Sequence, residues 1–238
     1  MKIPSVAVVL LCLVPSTILG AQAPNPPPIT IRAGHLGTRC EGRTRLDDAW
    51  RVVYAALATP GDPGGDPALA TLQDSVERVL NADPDDLDTR FLLASILGAR
   101  SEVNHGQAKL EWAGAMEAEV RRILERSPEH PGARHLMGRL HAAVRRMSGL
   151  KRFLARTLFG GDVLAGGSWE TAKAHLEAAE RAAPCVPDHH YELARLYLDL
   201  EMPREAATEL RHTLEIAGLR DDYGAVARKA MALLRDVP

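Results

Sequence analysis

Apolar and small residues recur at helical spacing through most of the chain after residue 43, whereas the strict alternation expected of strands is scarce. The pattern predicts an all-α fold with helices at about 44–58, 67–82, 85–100, 105–126, 131–147, 149–159, 168–183, 187–200, 203–217 and 221–235. Pro67, Ser168 and Pro203 stand where helices are predicted to begin, and Gly218 stands where one is predicted to end. The loop "TPGDPGGDP" (59–67) separates the first two helices.

Three segments repeat one register: "NADPDDLDTRFLLASIL" (81–97), "ERSPEHPGARHLMGRLH" (125–141) and "RAAPCVPDHHYELARLY" (181–197). In each, a proline is followed nine and ten residues later by a large apolar and a small residue: Leu93-Ala94, Met137-Gly138 and Leu193-Ala194. From Pro184 to Gly218 is 34 residues, which is the period of a tetratricopeptide repeat. We therefore expect a solenoid of helix pairs.

The second helices of the later units carry the small and large residues that such pairs need at their contacts. "SWETAKAHLEAAERAAP" (168–184) supplies Ala172, Leu176 and Ala179, and "PREAATELRHTLEIAG" (203–218) supplies Ala206 and Leu210. The earlier second helices fit less well and are interpreted as degenerate units. One face of the last helix is apolar, which is typical of a C-terminal capping helix: Tyr223, Val226, Ala227, Ala230, Met231 and Leu234.

The proline spacing is 44, then 56 residues, and the extra length is "VRRMSGLKRFLARTLFGGDVLAGG" (144–167), inserted between the two helices of one repeat. An inserted helix ending in "LARTLFGG", followed by "SWETAKAHLEAAERAAP" and "YELARLYLDLEMPREAATELRHTLE", resembles the regulator of microtubule dynamics family of tetratricopeptide-like proteins. The resemblance covers residues 70–217 approximately and implies a helical-repeat binding domain without catalytic residues. The microtubule role in the family name is not carried over, because the sequence predicts an export signal, described next, and shows no long basic tail or coiled coil.

Residues 1–23 combine Lys2, an apolar run from Val6 to Val14 and small residues near the end, which predicts a secretory signal peptide. Cleavage after Gly20 or Ala21 and retention as an anchor both remain open. Residues 24–42 are interpreted as an irregular lead-in, and residues 43–238 as the tetratricopeptide-like domain. We expect a periplasmic or secreted protein with no integral membrane span after signal removal.

Signal removal leaves two cysteines, Cys40 and Cys185, in a compartment where disulfides persist. A Cys40–Cys185 bridge and two separate buried thiols are both compatible with the sequence, because a pairing requires Cα atoms within about 7 Å.

Composition limits the function classes. The chain has a net charge of −2 and only 4 % aromatic residues, so neither charge nor stacking residues indicate a nucleic-acid partner. Trp50, Trp112 and Trp169 fall on separate helices and are predicted to be packing residues. No P-loop, Rossmann fingerprint or G-x-S-x-G motif occurs, so we expect neither catalysis nor a cofactor.

Cys185, His189 and His190 carry donor atoms that bind zinc. The repeat register already accounts for this segment, and no matching Cys/His pair or H-E-x-x-H motif occurs elsewhere. We therefore predict no metal site, with the two histidines partly solvated at a helix start.

The chain has one long unbalanced basic run, with no acidic residue before Asp162: Arg134, Arg139, Arg145, Arg146, Lys151, Arg152 and Arg156. It is either a solvated helix face or an anion-binding patch for an acidic peptide, a carboxylate or a lipid headgroup.

Counting seven and eleven residues from each proline predicts which first-helix side chains line the concave groove: Phe91, Ser95, His135, Arg139, Tyr191 and Arg195. A groove lined by these residues is basic and aromatic, and it suits an extended peptide or an acidic amphiphile. The groove lacks the asparagine of carboxylate-clamp repeats, so a C-terminal carboxylate is not the expected ligand. Whether the insert at 144–159 lies across the groove is left open by the sequence.

The leading hypothesis is an exported, non-enzymatic scaffold that binds a protein or peptide partner in the cell envelope. The alternative is a carrier of an anionic lipid or other amphiphile. The basic run beside the apolar segment "FLARTLF" suggests this function. A third reading, a purely structural spacer, predicts that neutralising Arg139 and Arg195 has no effect.

Overall fold

The computed structural model describes residues 46–59, 62, 64–149, 167–218 and 224–237. Within these ranges there is no strand, and the regular structure consists of nine α-helices: α1 (Asp47–Ala58), α2 (Gly65–Ala82), α3 (Leu87–Val103), α4 (Gly106–Arg126), α5 (Pro131–Arg146), α6 (Trp169–Ala182), α7 (Pro187–Asp199), α8 (Pro203–Gly218) and α9 (Gly224–Asp236). The predicted all-α class is confirmed.

Each of these helices begins and ends within three residues of its predicted bounds. The helix predicted at 149–159 lies outside the described residues except for Gly149, as do the predicted signal peptide and lead-in. The close agreement has a local cause, because several helix ends are fixed by short-range hydrogen bonds. The side chains of Asp86, His130 and Ser168 accept from backbone N–H groups three residues on, which stabilises the first turns of α3, α5 and α6.

Helices consecutive in the chain pack against each other, and the pairs α3/α4, α5/α6 and α7/α8 have the most extensive contacts. The odd-numbered helices also contact one another in the order α1, α3, α5, α7, α9. They therefore form one layer, which we call the inner layer, and α2, α4, α6 and α8 cover its other side. Helices α5 and α6 pack as a pair although 22 residues separate Arg146 from Trp169, so the insert lies within one repeat as predicted.

The core follows this layering. One apolar cluster extends from α1 to α5 and includes Trp50, Ile96 and Ile123. A second joins α5, α6 and α7 through Ala142, Leu176 and Leu196, and a third joins α7, α8 and α9 through Ala194, Leu210 and Ala230. Each helix pair therefore buries apolar residues against the neighbouring pair. The stability of a repeat array depends on such contacts between neighbours. Among the helices described here, none combines the length and apolar character that crossing a membrane requires.

Candidate functional site

The two arginines predicted to line the groove lie on neighbouring inner-layer helices and share one carboxylate. Glu192 Oε1 is 3.4 Å from Arg139 Nε and 3.0 Å from Arg195 Nη1. Arg139 also lies 3.5 Å from Glu102 on α3. We call Glu102, Arg139, Glu192 and Arg195 the inner charge row. It contains as many carboxylates as guanidinium groups, so the surface is not simply basic.

The electrostatics of the row follow from this sharing. The carboxylate of Glu192 raises the pKa of the Arg139 guanidinium, which stays charged. Burial raises the pKa of the nearby Asp188 carboxyl, while Arg139 acts in the opposite direction. Arg139 therefore interacts with acidic groups on two neighbouring helices, and it ties α5 to α3 and α7.

His135, also predicted to line the groove, lies beneath this surface. Its Nδ1 is 3.0 Å from Nδ1 of His189, and both rings are buried. Burial lowers the pKa of both imidazoles, so both are neutral, with one ring donating and the other accepting. Burial, with a smaller effect of Arg139, lowers the pKa of His135 to about 3.

The expectation that His189 and His190 are partly solvated is wrong. Both stand in the first turn of α7 as predicted, but their exposed fractions are only 5 % and 4 %. The reason is tertiary: His189 points to His135 on α5, and His190 points to Glu209 on α8.

The predicted aromatic residues separate into two environments. Phe91 packs between Trp50 and His130, with ring centroids 5.5 and 5.0 Å away, and its ring lies against Gly132. Tyr191 is half-buried, and the Arg195 guanidinium lies 5.9 Å from its ring centroid. The described structure therefore joins Tyr191 to the inner charge row but places Phe91 in the packing between repeats.

The basic run of the sequence has acidic partners in space. Arg146 donates twice to Asp199, at 2.8 and 2.5 Å, and Arg134 pairs with Glu129 at 3.0 Å. Arg145 lies 5.6 Å from the Trp169 ring centroid. Lys151, Arg152 and Arg156 lie outside the described residues, so an anion-binding patch built on them remains a prediction.

The remaining sequence predictions concern cysteines and tryptophans. Cys185 is half-buried between α6 and α7, whereas Cys40 lies outside the described residues, so the disulfide remains untested. The packing role of the tryptophans is confirmed. Trp50 is a core residue, Trp112 lies under Arg100 with its ring centroid 3.7 Å from the guanidinium carbon, and Trp169 packs on the second cluster.

Sequence reasoning missed a contact that recurs in all three repeats. Six residues after each repeat proline stands a cation or imidazole that binds the carbonyl oxygen of that proline. Arg90 lies 2.6 Å from Pro84 O, Arg134 lies 2.6 Å from Pro128 O, and His190 Nε2 lies 2.9 Å from Pro184 O. The signal was present in the repeat register, because all three positions carry a basic side chain.

The sequence of this chain matches one family of known proteins over most of its length. The sequence model of the family described as Regulator of microtubule dynamics protein 1-3 matches residues 72–237. No curated protein matches the chain.

Two solved structures are similar to the chain at low sequence identity. TTC0263, a thermophilic TPR protein in Thermus thermophilus, is 20 % identical, with a TM-score of 0.46, covering 80 % of this chain and 90 % of its own. A crystal structure of MamA is 14 % identical, with a TM-score of 0.39, covering 72 % of this chain and 94 % of its own. Because the family match spans well over half of the chain, including all repeat units from α3 to α9, this protein belongs to the Regulator of microtubule dynamics protein 1-3 family.

Proposed function

We propose that this protein is a non-enzymatic scaffold of the cell envelope that binds a protein or peptide partner along its inner layer. The observation that carries the proposal is the inner charge row, which crosses three helices from three consecutive repeats. The predicted signal sequence supports the envelope location.

Three of the four side chains of the row are accessible although its charges are paired, while Glu192 is buried. The side chains of Glu102, Arg139 and Arg195 have exposed fractions of 52 %, 32 % and 36 %. An arginine carries five N–H donors, so each guanidinium has donors left for a partner without losing its carboxylate.

The spacing of the row suits an extended segment. Packed helices lie about 8–10 Å apart, and three residues of chain in the extended polyproline II conformation span about 9 Å and return to the same side. In a peptide that crosses α3, α5 and α7, side chains three residues apart therefore face successive helices. Because the row alternates acidic and basic groups, the matching segment carries both charges, whereas the sequence predicted a basic groove.

Site-specific photo-cross-linking tests the proposal. A photoreactive amino acid replaces Glu102 or Arg195 in the inner layer, and Glu125 or Thr208, exposed on α4 and α8, in the matched controls. Irradiation of cells followed by mass spectrometry is expected to yield the same protein partner from both inner positions and not from the controls. Equal labelling at all four positions, or none at the inner ones, contradicts the proposal.

The amphiphile carrier and the spacer make different predictions. A carrier predicts co-purifying lipid that depends on Lys151, Arg152 and Arg156. A spacer predicts that the double variant Arg139→Gln/Arg195→Gln retains full function in cells, whereas the scaffold proposal predicts loss of the cross-linked partner.

Export is tested by fractionation. The chain is expected in the periplasmic or secreted fraction, and deletion of residues 1–23 is expected to retain it inside the cell.

A further inference from the structure

Glu209 on α8 lies between two histidines from different helices. Its Oε2 is 2.7 Å from Nδ1 of His190 on α7 and 3.7 Å from Nδ1 of His212, one turn further along α8. One donor atom from each of the three residues lies within 4.8 Å of the other two. His190 is buried, Glu209 is half-buried and His212 is exposed, so the cluster opens to solvent on one side.

The repeat containing α3 and α4 has the same arrangement with different side chains. Glu119 lies between Arg90 on α3, at 2.6 Å, and Arg122, one turn further along α4. Arg90 and His190 are equivalent, because each stands six residues after a repeat proline and binds its carbonyl oxygen. Glu119 and Glu209 are equivalent too, since each directly precedes a buried apolar residue, Val120 or Leu210, of the second helix.

In the repeat containing α7 and α8, histidines stand at the positions of both arginines, and this difference changes the charge of the cluster. A carboxylate between two guanidinium groups gives a net charge of +1. With both imidazoles neutral, the cluster carries −1, and its three donor atoms lie within 4.8 Å of one another. A divalent cation bound among them restores the +1 of the earlier repeat.

The proton positions on His190 point the same way. Its Nε2 faces the Pro184 carbonyl, which only accepts hydrogen bonds, so Nε2 carries the proton. Its Nδ1 then directs a lone pair at the Glu209 carboxylate, a contact that requires a cation or a further proton between the two atoms. His212 adds a second Nδ1 near the same oxygen, which a simple His190–Glu209 ion pair does not need.

We propose that His190, Glu209 and His212 form a binding site for a divalent transition-metal ion, for which Zn²⁺ is the best match. Two imidazoles and one carboxylate, with a fourth position open to water, are a common zinc ligand set. Donors at about 2.0–2.1 Å from a tetrahedral ion lie about 3.3 Å apart, and the two measured separations bracket that value. The Pro184 carbonyl supplies the outer hydrogen bond that orients a metal-binding histidine.

Because His212 is exposed, rotation of its side chain is enough to bring the three donor atoms to metal-binding distances. Its side chain is 47 % exposed, so it is free to rotate toward Glu209 without disturbing the core. A bound ion links α7 to α8 and therefore fastens the last helix pair of the array. The inference is independent of the partner surface proposed above, which lies on the inner layer.

Calorimetric titration of the tag-free protein with ZnCl₂ at pH 7.5 tests the site. We expect one Zn²⁺ bound through this cluster with micromolar or tighter affinity and a higher unfolding temperature that EDTA reverses. His212→Ala and Glu209→Gln are expected to weaken the affinity at least tenfold. The matched control is His105→Ala, an exposed histidine outside the cluster, which is expected to bind like the wild type.

Two outcomes overturn the inference. Absence of Zn²⁺ binding to the wild type shows that a proton, rather than a metal ion, joins His190 to Glu209. Equal affinity of the His212→Ala and His105→Ala variants places any bound ion elsewhere in the chain. His212→Ala is the decisive variant because it removes an exposed side chain, and equal unfolding temperatures of the metal-free wild type and variant verify that the fold is intact. The visible absorption of a Co²⁺-loaded sample gives a second readout of imidazole and carboxylate coordination.

Discussion

Gly138 shows how one side chain sets the distance between two helices. A Cβ at this position of α5 would lie 2.6 Å from Leu176 Cγ and 3.1 Å from the Ala172 carbonyl oxygen, both on α6. The equivalent residues of the other two repeats are Ala94 and Ala194, which are fully buried. The α5/α6 pair is therefore packed more closely at this position than an alanine permits.

Gly138→Ala is expected to destabilise the protein by about 1–3 kcal/mol, because Leu176 and the helix backbone must move to admit the methyl group. Gly114→Ala on α4 is the matched control, since nothing lies within 4 Å of its added Cβ. That control is expected to gain about 0.5–1 kcal/mol from helix propensity. Urea unfolding measures both, and the same sign for both variants contradicts the packing argument.

His135 gives the protein a defined sensitivity to acid. Its pKa is about 3 in the folded protein and about 6.5 when unfolded, so the unfolded chain binds the proton more tightly. The contribution to stability is complete above pH 6.5 and is lost as the pH falls toward 3. At pH 5 the loss from this residue is about 2 kcal/mol.

His135→Asn keeps a hydrogen-bonding group near His189 but does not titrate. The free energy of unfolding of this variant is expected to fall less between pH 7.5 and pH 5 than that of the wild type, by about 2 kcal/mol. His105→Ala serves as the control for an exposed histidine. Parallel pH profiles for wild type and His135→Asn are the outcome that excludes this role.

Among the helical elements, α5 and α7 are joined by Glu192, because its carboxylate neutralises a guanidinium from each. The two helices belong to different repeats, so this contact contributes to the interface between units rather than to either unit alone. A removed carboxylate leaves two cations facing each other in a partly buried space.

Glu192→Gln is expected to lower the free energy of unfolding by about 1–3 kcal/mol. Glu215→Gln, on the exposed face of α8, is expected to change it by less than about 0.5 kcal/mol. Adding Arg139→Gln to Glu192→Gln is expected to recover part of the loss, because it removes one of the two facing cations. A Glu192→Gln effect as small as that of the control contradicts the coupling.

At the scale of the whole molecule, the apolar clusters join neighbouring helix pairs, so each pair is stabilised by its neighbours. The last pair depends on α9, whose Ala230 is fully buried against Ala194 and Leu210. Because α9 packs on α7 and α8, a defect in this helix is expected to act locally.

Ala230→Asp places a charge in that interface and is expected to abolish amide protection in α7 to α9, while α1 to α4 retain theirs. Ala232→Asp, on the exposed side of the same helix, controls for the loss of helix propensity. Hydrogen exchange followed by mass spectrometry reads both variants. Uniform loss of protection along the whole chain shows instead a single cooperative unit.

Local chemistry explains which predictions succeeded. Helix bounds were predictable because Ser168, Pro187 and Pro203 act within one turn. The buried positions of Leu176 and Leu210 followed from the repeat register, which is a property of the sequence alone. The basic groove was predicted less well, because Glu102, Glu192 and Asp199 approach Arg139 and Arg146 from other helices and their proximity is not encoded in local spacing.

By itself, the sequence determined the helix-pair repeat, its register and the family, because periodic burial and capping depend on residues close together in the chain. Only the tertiary structure decided which charges meet. In the folded protein Arg139 pairs with Glu192, and His189 is buried against His135. His190 lies beside Glu209 and His212, which are three residues apart on α8. The physical reason is that electrostatic pairing acts through space over a few ångströms, while the repeat separates such partners by 19 to 54 residues in the chain.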